Sequence, residues 1–464
     1  MNENIFREYD IRGIVGQDLT PQTVAVIARA IGTFFIKHNA RRIAVGFDAR
    51  ASSPLFRDLL VKGLSSSGCD VLDIGQVPTP VLYFAAYTER VDGAVMITGS
   101  HNPANHNGFK ICLGHGTLFG EQIRAIKNIA LSEHFSIGNS FSRTSSDAEN
   151  ARPKIEIADV SAKYQKQLLQ RVAPGARKLK VVVDAGNGMG GVTAVPLYRR
   201  LGYEVVELYA EPDSNFPHHH PDPTVAENLQ DCVRAVIETG ADLGIAFDGD
   251  GDRIGLVDET GRIIWGDELM ILLAREILKE NPGATIIAEV KCSQNLFDEV
   301  EKLGGNAIMW KAGHSIIKAK MKETGAALAG EMSGHIFFAD RFYGFDDATY
   351  AGARVLEILA NSDKTLSELL SDLPPTFSTP ELRVECTEKQ KFAVVERIAE
   401  EFAKTNRVIT IDGARIVFEN GWGLVRASNT QAILVLRFEA DSEENLMKIR
   451  RTVEAKVRQF LQNS

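Results

Sequence analysis

Thr98-Gly99-Ser100-His101-Asn102-Pro103 sets a hydroxyl between a glycine and a histidine, directly after the apolar run Asp92-Gly-Ala-Val-Met-Ile97. A short run rich in β-formers predicts a buried central strand, and Pro103 stops that strand from continuing. In open α/β sheets ligands bind outside the carboxyl ends of the strands, so Ser100 stands where a nucleophile is useful. Later in the chain a second apolar run, Asp242-Leu-Gly-Ile-Ala-Phe247, ends in Asp248-Gly-Asp250-Gly-Asp252-Arg253. Three carboxylates alternating with glycine repel one another unless a cation neutralises them. The glycines let the backbone turn all three toward one point, and oxygen-only ligands suit Mg²⁺ or another hard cation.

The same residues imitate a calcium loop, with Asp248, Asp250 and Asp252 at its first, third and fifth positions and Glu259 at its twelfth. Arg253 excludes that reading, because the sixth position must be glycine to make the sharp turn. The flanks at 254–257 and 262–265 also read as a hairpin around Thr260-Gly261 rather than as helices.

These loops need a frame, and strand–helix alternation supplies one three times. Strands are expected at 43–47, 71–74 and up to Ser100, with helices at 54–64 and 81–90. The pattern recurs with strands at 179–183, 204–209 and up to Asp248, and helices at 191–201 and 226–238. A third pass has helices at 267–280, 296–303 and 315–323, and strands at 284–290, 307–310 and 326–329. Its last strand empties into Gly330-Glu331-Met332-Ser333-Gly334-His335. Alternation of this kind predicts α/β domains with parallel-rich sheets covered on both faces, and three polar strand-end loops predict one shared cleft. The tail changes character. Strands at 382–386, 408–411, 415–419 and 432–438, with helices at 391–404 and 443–461, predict an α+β domain. Between its strands Arg426-Ala427-Ser428-Asn429-Thr430 gathers donors suited to an anion, where the arginine fork gives paired charge-assisted hydrogen bonds.

The chain has 464 residues and a net charge of −9. That length holds three or four domains, and the acidic balance without a basic stripe argues against a nucleic-acid partner. Cysteines 69, 112, 232, 292 and 386 are scattered and odd in number, as expected of reduced core residues in the cytoplasm. The charged N-terminus lacks an apolar signal core, and no apolar run approaches a membrane span.

Two further motifs point elsewhere. Gly186-Asn-Gly188-Met-Gly-Gly191 follows a strand and matches G-x-G-x-x-G, with Glu207 about 20 residues on where a ribose-binding acid would sit. It keeps an NAD-dependent oxidoreductase open as a rival class, although such an enzyme has no role for the aspartate triad. His218-His219-His220 could ligate a soft metal, but its Pro-flanked loop has no further His or Cys at ligand spacing, and a structural loop is the expectation.

Taken together, T-G-S-H-N-P at Thr98–Pro103, D-G-D-G-D-R at Asp248–Arg253, G-E-M-S-G-H at Gly330–His335, R-A-S-N-T at Arg426–Thr430 and Y-D-I-R-G at Tyr9–Gly13 resemble the α-D-phosphohexomutase family over essentially the whole chain. The likeness is closest to its bacterial phosphomannomutase/phosphoglucomutase branch; glucosamine-type members usually carry Gln after the Glu of the third motif, where Met332 stands here. The resemblance implies four domains around a central cleft, expected here at 1–148 (phosphoserine), 149–256 (metal), 257–372 (sugar) and 373–464 (phosphate). It implies that Ser100 carries a phosphoryl group, with Asp248, Asp250 and Asp252 holding Mg²⁺ beside it and Ser100 completing the ligand set. Lys110, Arg12 and His335 are the implied candidates for proton transfer or charge stabilisation. Tyr9, Arg253, Lys291 and His314 would line the cleft, Glu331 to His335 would grip the sugar, and Arg426 to Thr430 would hold a phosphate. The implied reaction exchanges the 1- and 6-positions of a mannose or glucose phosphate through a hexose 1,6-bisphosphate, in a monomer. A glucosamine-phosphate mutase and a phosphoserine-type sugar phosphatase are the neighbouring alternatives. The phosphatase would not need the remote phosphate loop.

Overall fold

The computed structural model describes residues 1–136, 153–428 and 432–462. Four sheets organise these residues, and the first three share one plan. Strand Arg42–Phe47 pairs in parallel with Asp70–Gln76 and Gly93–Ile97. Strand Lys180–Asp184 does the same with Glu204–Leu208 and Leu243–Phe247, and Thr285–Glu289 with Asn306–Trp310 and Leu328–Gly330. Each unit then departs from the parallel pattern in the same way. The strand that ends in a polar loop is followed by an antiparallel return: His106–Leu113, Ile254–Asp258 or Ile336–Phe338. The three polar loops are therefore hairpin connections at strand carboxyl ends.

The strands that carry the first two loops are buried along their whole length. Helices cover both faces, which is why they read as continuous apolar runs without alternation. One apolar core runs through the first three units, from Ala44 and Met96 past Val181 and Leu256 to Leu328 and Leu356. A second core fills the far side of the first sheet. Helix Pro21–Lys37, not anticipated from the sequence, supplies Val24, Ile27, Ile31 and Phe34 to it and is capped by Thr20, whose hydroxyl accepts from Thr23 N at 3.2 Å.

The sheets redraw several expectations. Strand Ile155–Ile157 joins the first sheet alongside Asp70–Gln76 rather than the second. The division expected after 256 falls inside strand Ile254–Asp258, which continues to Ile263–Ile264 in the second sheet. In the C-terminal unit Arg426 and Ala427 belong to strand Gly421–Ala427, central between Ala414–Phe418 and Ile433–Ala440, not to a loop. Its two glycines weaken the strand signal. The C-terminal sheet has its own core and meets the rest apolarly through Val290, Trp422 and Leu424. Arg415 adds a polar clasp, donating to the carbonyls of Val290 at 2.6 Å and Cys292 at 2.8 Å. No helix among the described residues is long and apolar enough to cross a membrane.

The second and third units lock where helix Ala348–Ala360 packs on helix Gly190–Arg200. At the crossing, a Cβ on Gly352 would lie 2.2 Å from the hydroxyl of Tyr198, which donates to Thr349 O at 3.0 Å. Gly352→Val is expected to cost about 1–3 kcal/mol through overpacking, seen as a lower urea midpoint. An unchanged midpoint would show that the crossing tolerates the added volume.

Candidate active site

Ser100 has φ of +48°, a left-handed conformation that side chains avoid, so its loop must be held from outside. Its amide donates to Thr98 Oγ1 at 2.7 Å. Beneath the loop lies Arg50, 1 % exposed, which donates to the carbonyls of Ser100, Asn102, Pro103 and His106 at 2.6 to 2.9 Å. Asp48 accepts from Arg50 Nε and from Gly99 N. A Cβ at Gly99 would meet the guanidinium at 2.5 Å, which is why glycine precedes the serine. Neither Asp48 nor Arg50 was anticipated, although Asp48-Ala-Arg50 follows strand Arg42–Phe47 just as the other polar loops follow theirs.

The serine Oγ points at the second unit and donates to Asp248 Oδ2 at 2.9 Å. His101 Nδ1 is 3.1 Å from the same hydroxyl; burial, with Arg253 and Arg12 nearby, pushes that imidazole well below its ordinary range. The aspartate loop presses close to the serine, since a Cβ at Gly249 would lie 2.5 Å from Ser100 O. Asp248, Asp250 and Asp252 are all completely buried. Asp248 Oδ1 accepts from the amides of Asp252 and Arg253 at 3.0 and 3.1 Å. Lys110 Nζ donates to Asp250 Oδ2 at 2.7 Å and also to Asp252, and Thr79 holds Asp250 from helix Thr79–Thr88. Burial and the two neighbouring carboxylates push Asp248 far above the usual carboxylate range. Burial works against the Lys110 ammonium too, but Asp250 and Asp252 outweigh it and the lysine stays charged.

A cation fits this cluster. Asp250 Oδ1 and Asp252 Oδ1 are buried without a hydrogen-bond partner, and one oxygen from each of the three carboxylates lies within 4.8 Å of the others. Oxygen donors so arranged suit a hard divalent ion.

The third unit is stitched to this loop. Ile254 N donates to Gly334 O at 3.0 Å, and Arg253 Nε donates to His335 Nε2 at 3.0 Å. Gly334, at φ +87°, allows the approach, because a Cβ there would sit 2.3 Å from Ile254 O. With Nε2 accepting, His335 carries its proton on Nδ1, 3.1 Å from Asp346 Oδ2 and 3.6 Å from Asp252 Oδ1. Asp346 also accepts from Lys318 Nζ at 2.9 Å, and His314 stacks against His335 with centroids 5.6 Å apart. Asp346 and Lys318 were missed in the sequence, because neither lies in a motif. Glu331 Oε1 accepts from Gly313 N at 2.7 Å. Met332 and Ser333 are half-buried beside it, and Met332 N donates to Glu289.

Among the remaining expected residues, Tyr9 and Arg426 join through one chain of contacts, and Arg12, Lys291 and Ser428 have partners of their own. Tyr9 donates its hydroxyl to Ala312 O at 3.1 Å, Ala312 N donates to Asp412 Oδ2 at 3.0 Å, and the same oxygen pairs with Arg426 at 3.1 Å. Arg12 donates to Asn102 on the serine loop at 2.9 Å. Lys291 Nζ reaches Glu381 Oε1 at 2.5 Å. Ser428 is buried, and its carbonyl accepts from Lys391 at 2.7 Å. Asn429 and Thr430 lie outside the described residues.

The glycines of the G-x-G-x-x-G match serve packing. A Cβ on Gly188 would lie 2.8 Å from Gly249 Cα, and one on Gly191 would lie 2.4 Å from Ala210 O. The aspartate loop fills the place where a pyrophosphate would sit, and Glu207 pairs with Arg199. Glu259, the twelfth residue of the calcium-loop match, accepts instead from the backbone and hydroxyl of Ser367.

Known proteins agree with this arrangement. The phosphoglucomutase/phosphomannomutase models match in order: alpha/beta/alpha domain I at 3–136, domain II at 162–261, domain III at 265–377 and the C-terminal domain at 381–456. A phosphomannomutase/phosphoglucomutase of Pseudomonas putida is 48% identical over 97% of this chain and 94% of its own length. A phosphoglucomutase of Neisseria gonorrhoeae is 46% identical over 98% of this chain and 97% of its own. The crystal structure of a phosphoglucomutase/phosphomannomutase family protein from Burkholderia thailandensis superposes with a TM-score of 0.92, at 42% identity, covering 99% of this chain and 98% of that one. Fold and site thus define an enzyme of the phosphohexomutase class. More narrowly, this chain belongs to the phosphoglucomutase/phosphomannomutase family, which is metal-dependent, and its buried aspartate triad suits that dependence.

Lys291 and Glu381 tie the third unit to the fourth. The Lys291 ammonium, working against burial, holds the Glu381 carboxyl down at about 2, whereas an unfolded glutamate titrates near pH 4.3. The stabilisation is therefore complete above about pH 5 and lost as the pH falls toward 2. Glu381→Gln is expected to cost about 1–3 kcal/mol at pH 7, with the gap to wild type narrowing between pH 5 and pH 3. A gap that does not change with pH would rule out the charged pair.

Proposed function

We propose that this chain interconverts the 1- and 6-phosphates of mannose, glucose or both, through a phosphoserine at Ser100 and a hexose 1,6-bisphosphate intermediate. The observation that carries the reading is the buried Ser100 Oγ, 2.9 Å from Asp248 in a triad with unpartnered oxygens. A phosphoserine brings nearly two negative charges into this acidic setting. Mg²⁺ bound by Asp248, Asp250 and Asp252, with the serine phosphoryl group, would supply the neutralising charge when present. Lys110 and Arg12 add fixed positive charge beside the transferred group. His335, held by Arg253 beside the triad, is a further candidate for proton transfer at the reacting hydroxyl.

The transfer breaks the Ser100 O–P bond and forms one to the free hydroxyl of the hexose monophosphate. The bisphosphate then turns over in the cleft and returns its other phosphate to Ser100. Both orientations need an anchor for the idle phosphate, and Arg426 with Ser428, Asn429 and Thr430 is the set suited to it. Glu331 and Ser333 gripping the 3- and 4-hydroxyls would serve both orientations and both sugars, because glucose and mannose differ only at C2. Tyr9, Arg253, Lys291 and His314 would complete the wall. Phosphoserine, metal, sugar and idle phosphate are thus assigned to the first, second, third and fourth units. The five unpaired cysteines, four of them buried, accord with a cytoplasmic enzyme acting as a monomer on soluble hexose phosphates.

Ser100→Ala is expected to abolish turnover of mannose and glucose 1-phosphates, followed by phosphorus NMR with Mg²⁺ and a trace of bisphosphate. Intact-mass analysis should find one phosphate on wild type and none on the variant. A phosphate mapping to another residue would sink the assignment.

Arg426→Ala separates a mutase from a phosphatase. Losing its charged hydrogen bonds, worth about 1.5–3 kcal/mol, should lower kcat/KM roughly 10- to 150-fold with 1- and 6-phosphates alike, while Ser100 remains phosphorylated. Full kcat/KM in the variant would mean that the idle phosphate is not held there.

A further inference from the structure

The histidine triplet is the one motif that the proposed reaction leaves unused, and its three rings have different tasks. His218 lies flat on Tyr209, with centroids 3.8 Å apart, and its Nδ1 meets Asn187 Oδ1 at 2.7 Å. Both nitrogens of His219 face acceptors: Nδ1 the carbonyl of His220 at 3.0 Å, and Nε2 the oxygens of Asp184 at 3.0 and 3.1 Å. Asp184 is completely buried at the end of strand Lys180–Asp184, so the loop is bolted to the second sheet. From this base His220 Nε2 reaches across to the first unit and meets the backbone carbonyl of His101. A carbonyl has no proton to give, so the imidazole donates.

That contact completes a pattern. Arg50 takes the carbonyls of Ser100, Asn102 and Pro103 from below, and His220 takes the one between them. Four consecutive carbonyls around the nucleophile are thus held by two side chains from different units. This matters because Ser100 sits at φ +48°, where a non-glycine residue relaxes unless its neighbours over-determine it.

We infer that His220 is a positioning residue for the nucleophile: from the metal-binding unit it fixes the His101 peptide and so the angle at which Ser100 Oγ faces the aspartate triad. The inference rests on the reading of Ser100 as the phosphoryl carrier. It assigns the His-Pro loop a part in registering the first two units at the point of transfer, without contact to the sugar.

His220→Phe keeps the ring volume and removes the donor, whereas His220→Gln restores an N–H at similar reach. His220→Phe should lower kcat about 10- to 100-fold, the penalty of a misplaced reacting group, with KM for the hexose phosphate within about threefold. His220→Gln should recover most of the loss, and both variants should unfold at similar urea concentrations. Three results would each overturn the inference: an unchanged kcat in His220→Phe, a loss that His220→Gln does not repair, or a loss explained by unfolding. Mass analysis of wild-type Ser100 after exposure to bisphosphate tests the carrier itself separately, so failure of that reading is distinguishable from failure of this one.

Discussion

Three completely buried carboxylates within five residues are the constraint around which this molecule is arranged. Each such ion left unpaired in a low-dielectric interior costs several kcal/mol, and Asp248 shows the strain in its raised affinity for a proton. The fold answers with cations drawn from sequence-distant places. Lys110 arrives from strand His106–Leu113 of the first sheet and bridges Asp250 and Asp252. Two acceptor oxygens still remain without partners, so the protein alone does not neutralise the cluster.

Delivering the loops demands a repeated geometry. A parallel strand that ends in a free loop would leave its next neighbour a long crossover away. The antiparallel return in each of the first three units brings the chain straight back, so each polar loop is short, rigid and anchored on both sides. The loops meet one another in addition to the shared core. Arg253 meets His335, Ser100 meets Asp248, and Ala312 meets Asp412, and each contact joins residues from different sheets.

The C-terminal unit is attached differently. Its apolar contact is small, and buried arginines do most of the joining: Arg415 grips carbonyls of the third unit, and Arg437 reaches Lys291 O and Asp267. Such polar seams are specific in register yet lack the large apolar area that would make them immovable. The proposed anchoring of an idle phosphate in two orientations would be well served by a unit joined in this way.

The sequence by itself determined the class of the sheets and where the three strand-end loops carrying Ser100, the aspartate triad and Glu331 to His335 fall, because apolar runs and alternating glycines are local signals. It misplaced Arg426, whose strand Gly421–Ala427 is interrupted by glycines, it was silent on Asp346 and Arg50, and it read His220 only as part of a structural loop. Asp346 meets Lys318 across 28 positions, Arg50 meets its loop across 50 to 56, and His220 meets His101 across 119. Only the tertiary structure decided these pairings. A lone histidine or arginine has the same local signature on a surface as beneath a catalytic loop. What separates the two is which buried carbonyl or carboxylate lies within hydrogen-bond reach, and that is set by the packing of whole sheets against one another.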